Sequence, residues 1–159
     1  MTVRASEVGL VDSNILIYSV DPRDLIKQRR AITVLDQLMA AARMALSAQC
    51  LSEFYRVTTQ RLPDRVAPAI AAAHVEYWAT ACKVFDLTGP IVLEGCRRSA
   101  ASQIAVWDGL IWAVAKANGI SLVLTEDIPG RRTATGQVAI DGVRYINPLA
   151  SEFQLSDLL

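Results

Sequence analysis

Val8-Gly9-Leu10-Val11-Asp12-Ser13-Asn14-Ile15-Leu16-Ile17-Tyr18 is the stretch that decides the fold. Its first four residues form an apolar run too short for a helix and fit a buried strand. An aspartate closes the run, a Ser-Asn pair follows, and apolar residues resume in a helix beginning near Ser13 or Asn14. A strand that passes straight into a helix is the opening of an α/β unit, and the same grammar recurs down the chain.

Working outward, the first helix is interrupted around Asp21-Pro22-Arg23, and a second run, Leu25 to Arg43, repeats apolar residues at Ile32, Leu35, Leu38 and Met39. Met44 to Leu46 reads as a second strand, with Ser47 as the cap of a helix over Ala48 to Leu62 that Pro63 ends. Pro68 suits the first turn of the next helix, and Pro90 suits another after the third strand, Val84-Phe85-Asp86-Leu87. A break around Ser99 to Gln103 precedes a helix from Val106 to Asn118, which Gly119 terminates. Ser121 to Leu124 is the fourth strand. Val138 to Ile140 and Val143 to Ile146, around Asp141-Gly142, read as a small hairpin or as a fifth strand with a preceding turn. Strands alternating with helices predict an α/β fold with a central, mostly parallel sheet of four to five strands.

Composition narrows the class. The chain has 159 residues, 52% of them hydrophobic and 20% charged, which suits one globular core and predicts a single domain over 1–159. Lys plus Arg and Asp plus Glu number 16 each, so bulk electrostatic attraction is not the main source of any nucleic-acid affinity. No apolar stretch is long enough to cross a bilayer, and Arg4, Glu7 and Asp12 do not fit a secretory signal; the expectation is a cytoplasmic protein without membrane contact. Cys50, Cys82 and Cys96 are odd in number and widely spaced, which supports neither a disulfide framework nor a zinc motif and predicts buried thiols. His74 is the single histidine and reads as structural, so a serine–histidine–acid triad has little to rest on.

Four acids stand at element ends. Asp12 and Asp127 follow strands one and four, Glu53 lies in the second turn of the helix after strand two, and Asp108 opens the helix that leads to strand four. In right-handed strand–helix–strand units the helix starts gather on the edge where the strands' carboxyl ends emerge, so all four share the edge at which open parallel sheets bind ligands. Asp108 is followed at helical spacing by Ile111, Trp112 and Ala115, which turns it towards the core, where it needs a metal ion or an arginine to neutralise it. Glu53 lies at a border between faces, with Val57 on one side and Arg56 and Gln60 on the other. The helix dipole and turn chemistry also favour acids at such places, so each alone has a structural explanation; their coincidence on one edge is what points to a hard divalent cation and phosphate chemistry.

These residues resemble the PIN-domain ribonucleases, most closely the VapC-type toxins of bacterial toxin–antitoxin pairs. The resemblance rests on Val11 to Tyr18, Leu46 to Tyr55, Val106-Trp107-Asp108-Gly109-Leu110-Ile111, Leu124-Thr125-Glu126-Asp127 and the closing Ile146-Asn147-Pro148, in family order over nearly the whole chain. It implies a three-layer α/β/α sandwich and a Mg²⁺-dependent endoribonuclease, with Mn²⁺ as a substitute, whose catalytic and metal-binding acids are Asp12, Glu53, Asp108 and Asp127, supported by Asn14 and Thr125. The alternative for Ser13 and Asn14 is helix capping. Gly109 departs from the alanine the family carries after its third acid, and Glu126 stands beside Asp127, so either carboxylate can face the pocket.

RNA would need positive charge to guide it. Among the pairs Arg29-Arg30, Arg97-Arg98 and Arg131-Arg132, the last follows the Asp127 edge most closely and is the expected RNA-binding pair. The resemblance further implies a homodimer and a cognate antitoxin that packs on the early helices. Two other readings are weighed against the toxin. A catalytically silent PIN-like binding module would have lost one or more acids, and none is missing. A metal-dependent phosphohydrolase would carry a second acid two residues after Asp12, where Asn14 stands, and a catalytic lysine.

Overall fold

The computed structural model describes residues 7–129, 138–154 and 156. Its elements run β1 (Gly9–Val11), α1 (Ser13–Tyr18), α2 (Leu25–Ala40), β2 (Met44–Ser47), α3 (Ala48–Gln60), α4 (Pro68–Ala81), β3 (Lys83–Phe85), α5 (Gly89–Ser102), α6 (Val106–Ala117), β4 (Leu122–Leu124), β5 (Val138–Ile140) and β6 (Val143–Ile146). The strands form one sheet in the order β3-β2-β1-β4-β6-β5. Every neighbouring pair is parallel except β5 with β6.

The expected four to five strands become six among the described residues. The segment read as either a hairpin or a fifth strand is both: β6 joins β4 in parallel and β5 folds back on β6. Asp141 and Gly142 take φ of 47° and 83° at the turn, the positive values a two-residue hairpin requires.

Successive strand residues point to opposite faces, and both faces are covered. Val11, Met44, Leu46, Leu122 and Leu124 pack with Leu35 and Leu38 of α2, Phe54 of α3 and Trp78 of α4. Leu10, Ala45, Val123, Val143 and Tyr145 pack with Ile111, Trp112 and Ala115 of α6. The strand order gives the reason. From β1 to β3 the chain steps one way across the sheet; from β3 it returns past β1 to β4, and a connection of the same hand travelling the other way lays its helices on the other face. The product is an α/β/α sandwich whose strand carboxyl ends share one edge.

Several local expectations shift. The buried stripe of α2 is Ala31, Val34, Leu35 and Leu38, while Ile32 is exposed and Met39 half-buried. That helix stops at Ala40 because Ala42 takes a φ of 53° and the Ala42 and Arg43 amides donate back to the carbonyls of Met39 and Leu38, a Schellman ending. The predicted break at Ser99 to Gln103 is continuous α5 up to Ser102, ended by Gln103 at φ 53°. Of the three thiols only Cys50 is buried; Cys82 is half-buried and Cys96 exposed. His74 packs beside Phe54 and Trp78 at ring separations of 6.0 and 5.5 Å, a structural placement. Among the described residues no helix is long and apolar enough to cross a membrane.

Candidate active site

Asp12 leaves β1 as the cap of α1, its Oδ1 accepting from the Ser13 amide at 2.7 Å. The register that pairs Val11 with Leu124 sets the next residues of the two strands side by side. Thr125, almost fully buried, therefore donates its hydroxyl to Asp12 Oδ2 at 2.8 Å. Asn14, the second residue of α1, donates from Nδ2 to Asp12 Oδ2 at 3.1 Å and to Thr125 Oγ1 at 2.9 Å. Its Oδ1 accepts from the Glu126 amide at 3.3 Å, and Thr125 Oγ1 accepts from the Asp127 amide at 3.1 Å. The hydroxyl of Thr125 has one hydrogen and two lone pairs, and all three are used. Asn14 thus caps nothing here; it ties β1 to the turn after β4.

Glu53 reaches the same edge from α3, whose start Ser47 caps through the Cys50 amide at 3.2 Å. Its Oε2 accepts from Ser13 Oγ at 2.6 Å and its Oε1 from Gln49 Nε2 at 3.3 Å. Ser13 is therefore the bridge between the first two acids, donating through its amide to one and through its hydroxyl to the other. Asp108 comes in from the other layer, heading the buried stripe of Ile111, Trp112 and Ala115 as its helical phase predicts. Its placement depends on a close helix contact: a Cβ on Gly109 would lie 2.3 Å from the carbonyl oxygen of Gly95 on α5. The glycine that looks like a weakened helix in the sequence is what lets α6 approach α5.

The charges report how near the acids stand. Burial raises the Asp12 carboxyl above its ordinary value; the Thr125 and Ser13 hydrogen bonds act against it, and the charges of Glu53 and Asp127 add to the rise. Asp108 is lifted to about 6, first by burial and then by Asp12, Asp127 and Glu53. Asp127 is thus within electrostatic reach of both, although its side chain is exposed. Glu126 turns elsewhere, forming an ion pair with Lys27 of α2. That pair pushes the Lys27 ammonium up to about 12 and leaves Asp127 as the carboxylate of this turn that shares the acidic edge. Beneath the acids the hydroxyl of Tyr145 is buried with no hydrogen-bond partner among the described residues, and burial together with the charges of Asp108 and Asp12 pushes it up.

A small polar cleft of about 360 Å³ opens beside this edge, lined by Asp108, Glu126, Asp127 and the segments Gln103 to Ala105 and Ile128-Pro129. Among the described residues no three His, Cys, Asp or Glu side chains stand close enough to form a finished metal-binding cluster. Their chemistry nevertheless fits a hard divalent cation. The donors are all carboxylate oxygens, two of them are held against ionisation by burial and by one another, and an oxygen-seeking cation offsets that repulsion. Arg131 and Arg132 lie outside the described residues.

The PIN domain family matches residues 9–134, and the chain belongs to that family. No curated protein sequence matches it. Among solved structures it resembles FitAB bound to an IR36 DNA fragment, at a TM-score of 0.63 and 21% identity, with 91% of this chain and 98% of the other covered. It also resembles DNA-bound VapBC from Salmonella typhimurium, with a TM-score of 0.60, 19% identity and coverage of 89% and 98%. A third likeness is to VapC20 of Mycobacterium tuberculosis, a sarcin–ricin loop cleaving toxin, with a TM-score of 0.55, 19% identity and coverage of 72% and 85%. At these identities the likeness speaks for the fold.

Sequence reasoning missed Ser13 as the tie to Glu53, Gln49 behind it, Lys27 and Tyr145. Ser13 had a visible signal, since a hydroxyl directly after the first acid is within reach of whatever that acid approaches. The others become neighbours only through the packing of distant elements.

Proposed function

We propose that this chain, as a single PIN domain, is a Mg²⁺-dependent endoribonuclease, with Mn²⁺ as a substitute, and the toxin of a toxin–antitoxin pair. What supports the proposal is that, at the carboxyl edge of the sheet, burial and the charges of neighbouring acids, Glu53 and Asp127 among them, drive both Asp12 and Asp108 towards protonation. VapC20, of like fold, is a toxin that cleaves the sarcin–ricin loop, and FitAB and VapBC support a cognate antitoxin as partner.

Asp12, Asp108, Glu53 and Asp127 would hold the metal. A hard cation so held polarises a phosphodiester, makes a bound water acidic and stabilises the departing 3′ oxygen. The protein's part is to fix the ligands: Thr125 and Asn14 hold Asp12 Oδ2, Ser13 holds Glu53, and the glycine contact sets the depth of Asp108. Arg131 and Arg132 follow Asp127 in the chain and supply charge for the RNA backbone. A homodimer acting in the cytoplasm completes the reading. A catalytically silent binding module would have no need of an edge where four acids repel one another.

The test is cleavage of RNA with and without Mg²⁺ or Mn²⁺ by the wild type, Asp12→Asn and Asp108→Asn. Each variant is expected to lose at least a hundredfold in rate. Cleavage without metal, or full activity in both variants, would overturn the mechanism. For the toxin role, expression should arrest growth, and co-expression of an antitoxin encoded beside the gene should relieve it; unchanged growth counts against it.

A further inference from the structure

The turn after β4 carries two adjacent carboxylates, and the structure sends them to different places. Glu126 is paired with Lys27, a lysine whose ammonium also lies 4.9 Å from the centre of the Tyr18 ring and 3.4 Å from its hydroxyl. Lys27 and Glu126 are only 34% and 20% exposed, so water screens this pair less than an ordinary surface ion pair. Lys27 is itself held, because its amide is one of two that donate to Asp24 at the start of α2. The Glu126 amide is held separately by Asn14, and the Asp127 amide by Thr125. The turn is therefore fixed at three points, from α1, from its own Thr125 and from α2. Only the last of these acts through the Glu126 side chain.

We infer that Lys27 is a positioning residue: by capturing Glu126 it holds the turn after β4 so that Asp127, and not its neighbour, is presented to Asp12 and Asp108. Two features of the surroundings make the capture consequential. A free Glu126 would bring a fifth carboxylate towards a group whose members already repel one another, and it would compete with Asp127 for the same cation. The turn is also the rim of the cleft, with Glu126 and Asp127 both on its wall, so a change of side-chain partner moves the rim itself. Tyr18 adds direction, since its ring supports the ammonium from α1, the helix that Asp12 caps. The inference rests on the metal site proposed above for its functional consequence, but not for the latch itself.

The experiment separates the two. Hydrogen exchange at the Glu126 and Asp127 amides is followed in metal-free wild type, Lys27→Met, Lys27→Arg and Glu126→Gln, with the Val123 amide as an internal reference. Mn²⁺ affinity is measured by calorimetry on the same proteins. Lys27→Met and Glu126→Gln are expected to speed exchange at both turn amides about tenfold with Val123 unchanged, and to weaken Mn²⁺ about tenfold, the low end for a residue that holds a ligand in place. Lys27→Arg should keep both near the wild-type values, and a double variant carrying Lys27→Met and Glu126→Gln should be no worse than either single one. Unchanged exchange at the turn overturns the latch. Faster exchange with unaltered Mn²⁺ affinity overturns its role in presenting Asp127. A wild type that binds no Mn²⁺ while its turn amides still respond overturns the metal site and leaves the latch standing.

Discussion

Replacing Gly109 with alanine sets two opposing effects against each other, and the geometry decides which prevails. In a helix interior alanine is favoured over glycine by about 1 kcal/mol. Against this, the new Cβ would stand 2.3 Å from the Gly95 carbonyl oxygen, 3.2 Å from its carbon and 3.3 Å from Ser99 Cβ. An ordinary contact begins near 3.4 Å, so the oxygen must retreat by roughly an ångström. It cannot do so by changing rotamer, since it is helix backbone; α5 and α6 must part, opening the layer in which Ile111 and Trp112 are buried. Overpacking of this kind costs about 1–3 kcal/mol, and with backbone on both sides the upper end applies, leaving a net loss of about 2 kcal/mol. That corresponds to a fall in Tm of about 4–8 °C for a chain of this size. Urea unfolding followed by circular dichroism measures it, with Gly89→Ala as the control, because nothing lies within 4 Å of a Cβ at that helix start. The shift should also reach Asp108, one residue away, and lower RNA cleavage more than stability alone explains. A Gly109→Ala protein as stable as the wild type would refute the reasoning, for it would mean that the helices separate freely.

The pH dependence of stability has a defined sign at Asp108. Its carboxyl is raised from 3.8 to about 6, so the folded protein holds this proton more tightly than the unfolded chain does. The resulting stabilisation is fully present below about pH 4 and is lost as pH rises through about 6. In EDTA, the urea midpoint of the wild type relative to Asp108→Asn should therefore fall over that window and level off above it; a constant difference would refute the assignment. At Thr125, substitution by valine keeps the shape but removes the group that serves Asp12, Asn14 and the Asp127 amide together. The expected loss is about 2–4 kcal/mol in urea unfolding, because donors and an acceptor are left without their partner. A loss below about 1 kcal/mol would show that the three groups find other partners.

How far the sequence could be read follows from the reach of each interaction. Asp12 was legible because it directly follows a short apolar strand, and parallel strands of one unit end on one edge whatever their order; Thr125 entered only through the family resemblance. Asp108 was legible through the phase of a single helix. The Glu126–Asp127 ambiguity was not resolvable, because what separates them is a lysine 99 positions away on a helix with no local sign of its purpose. Gly109 was misleading for a related reason. Within its own helix it is a weak residue, and its value appears only when Gly95 of the preceding helix is placed against it. The last two strands were left between a hairpin and a single strand, since an Asp-Gly turn specifies a hairpin but not the strand against which the hairpin docks.

The pairing of β1 with β4 also sets when the acids can come together during synthesis. Asp12 and the Thr125 that orients it are 113 positions apart in the chain. A growing chain that has released α3 already owns Asp12 and Glu53, yet it has no Asp108, no Thr125 and no Asp127, and β1 still has an open side. The edge closes only when β4 emerges and slots beside β1, more than a hundred residues after Asp12. For the RNA-cutting enzyme proposed above, such a layout withholds the completed site until β4 has left the ribosome.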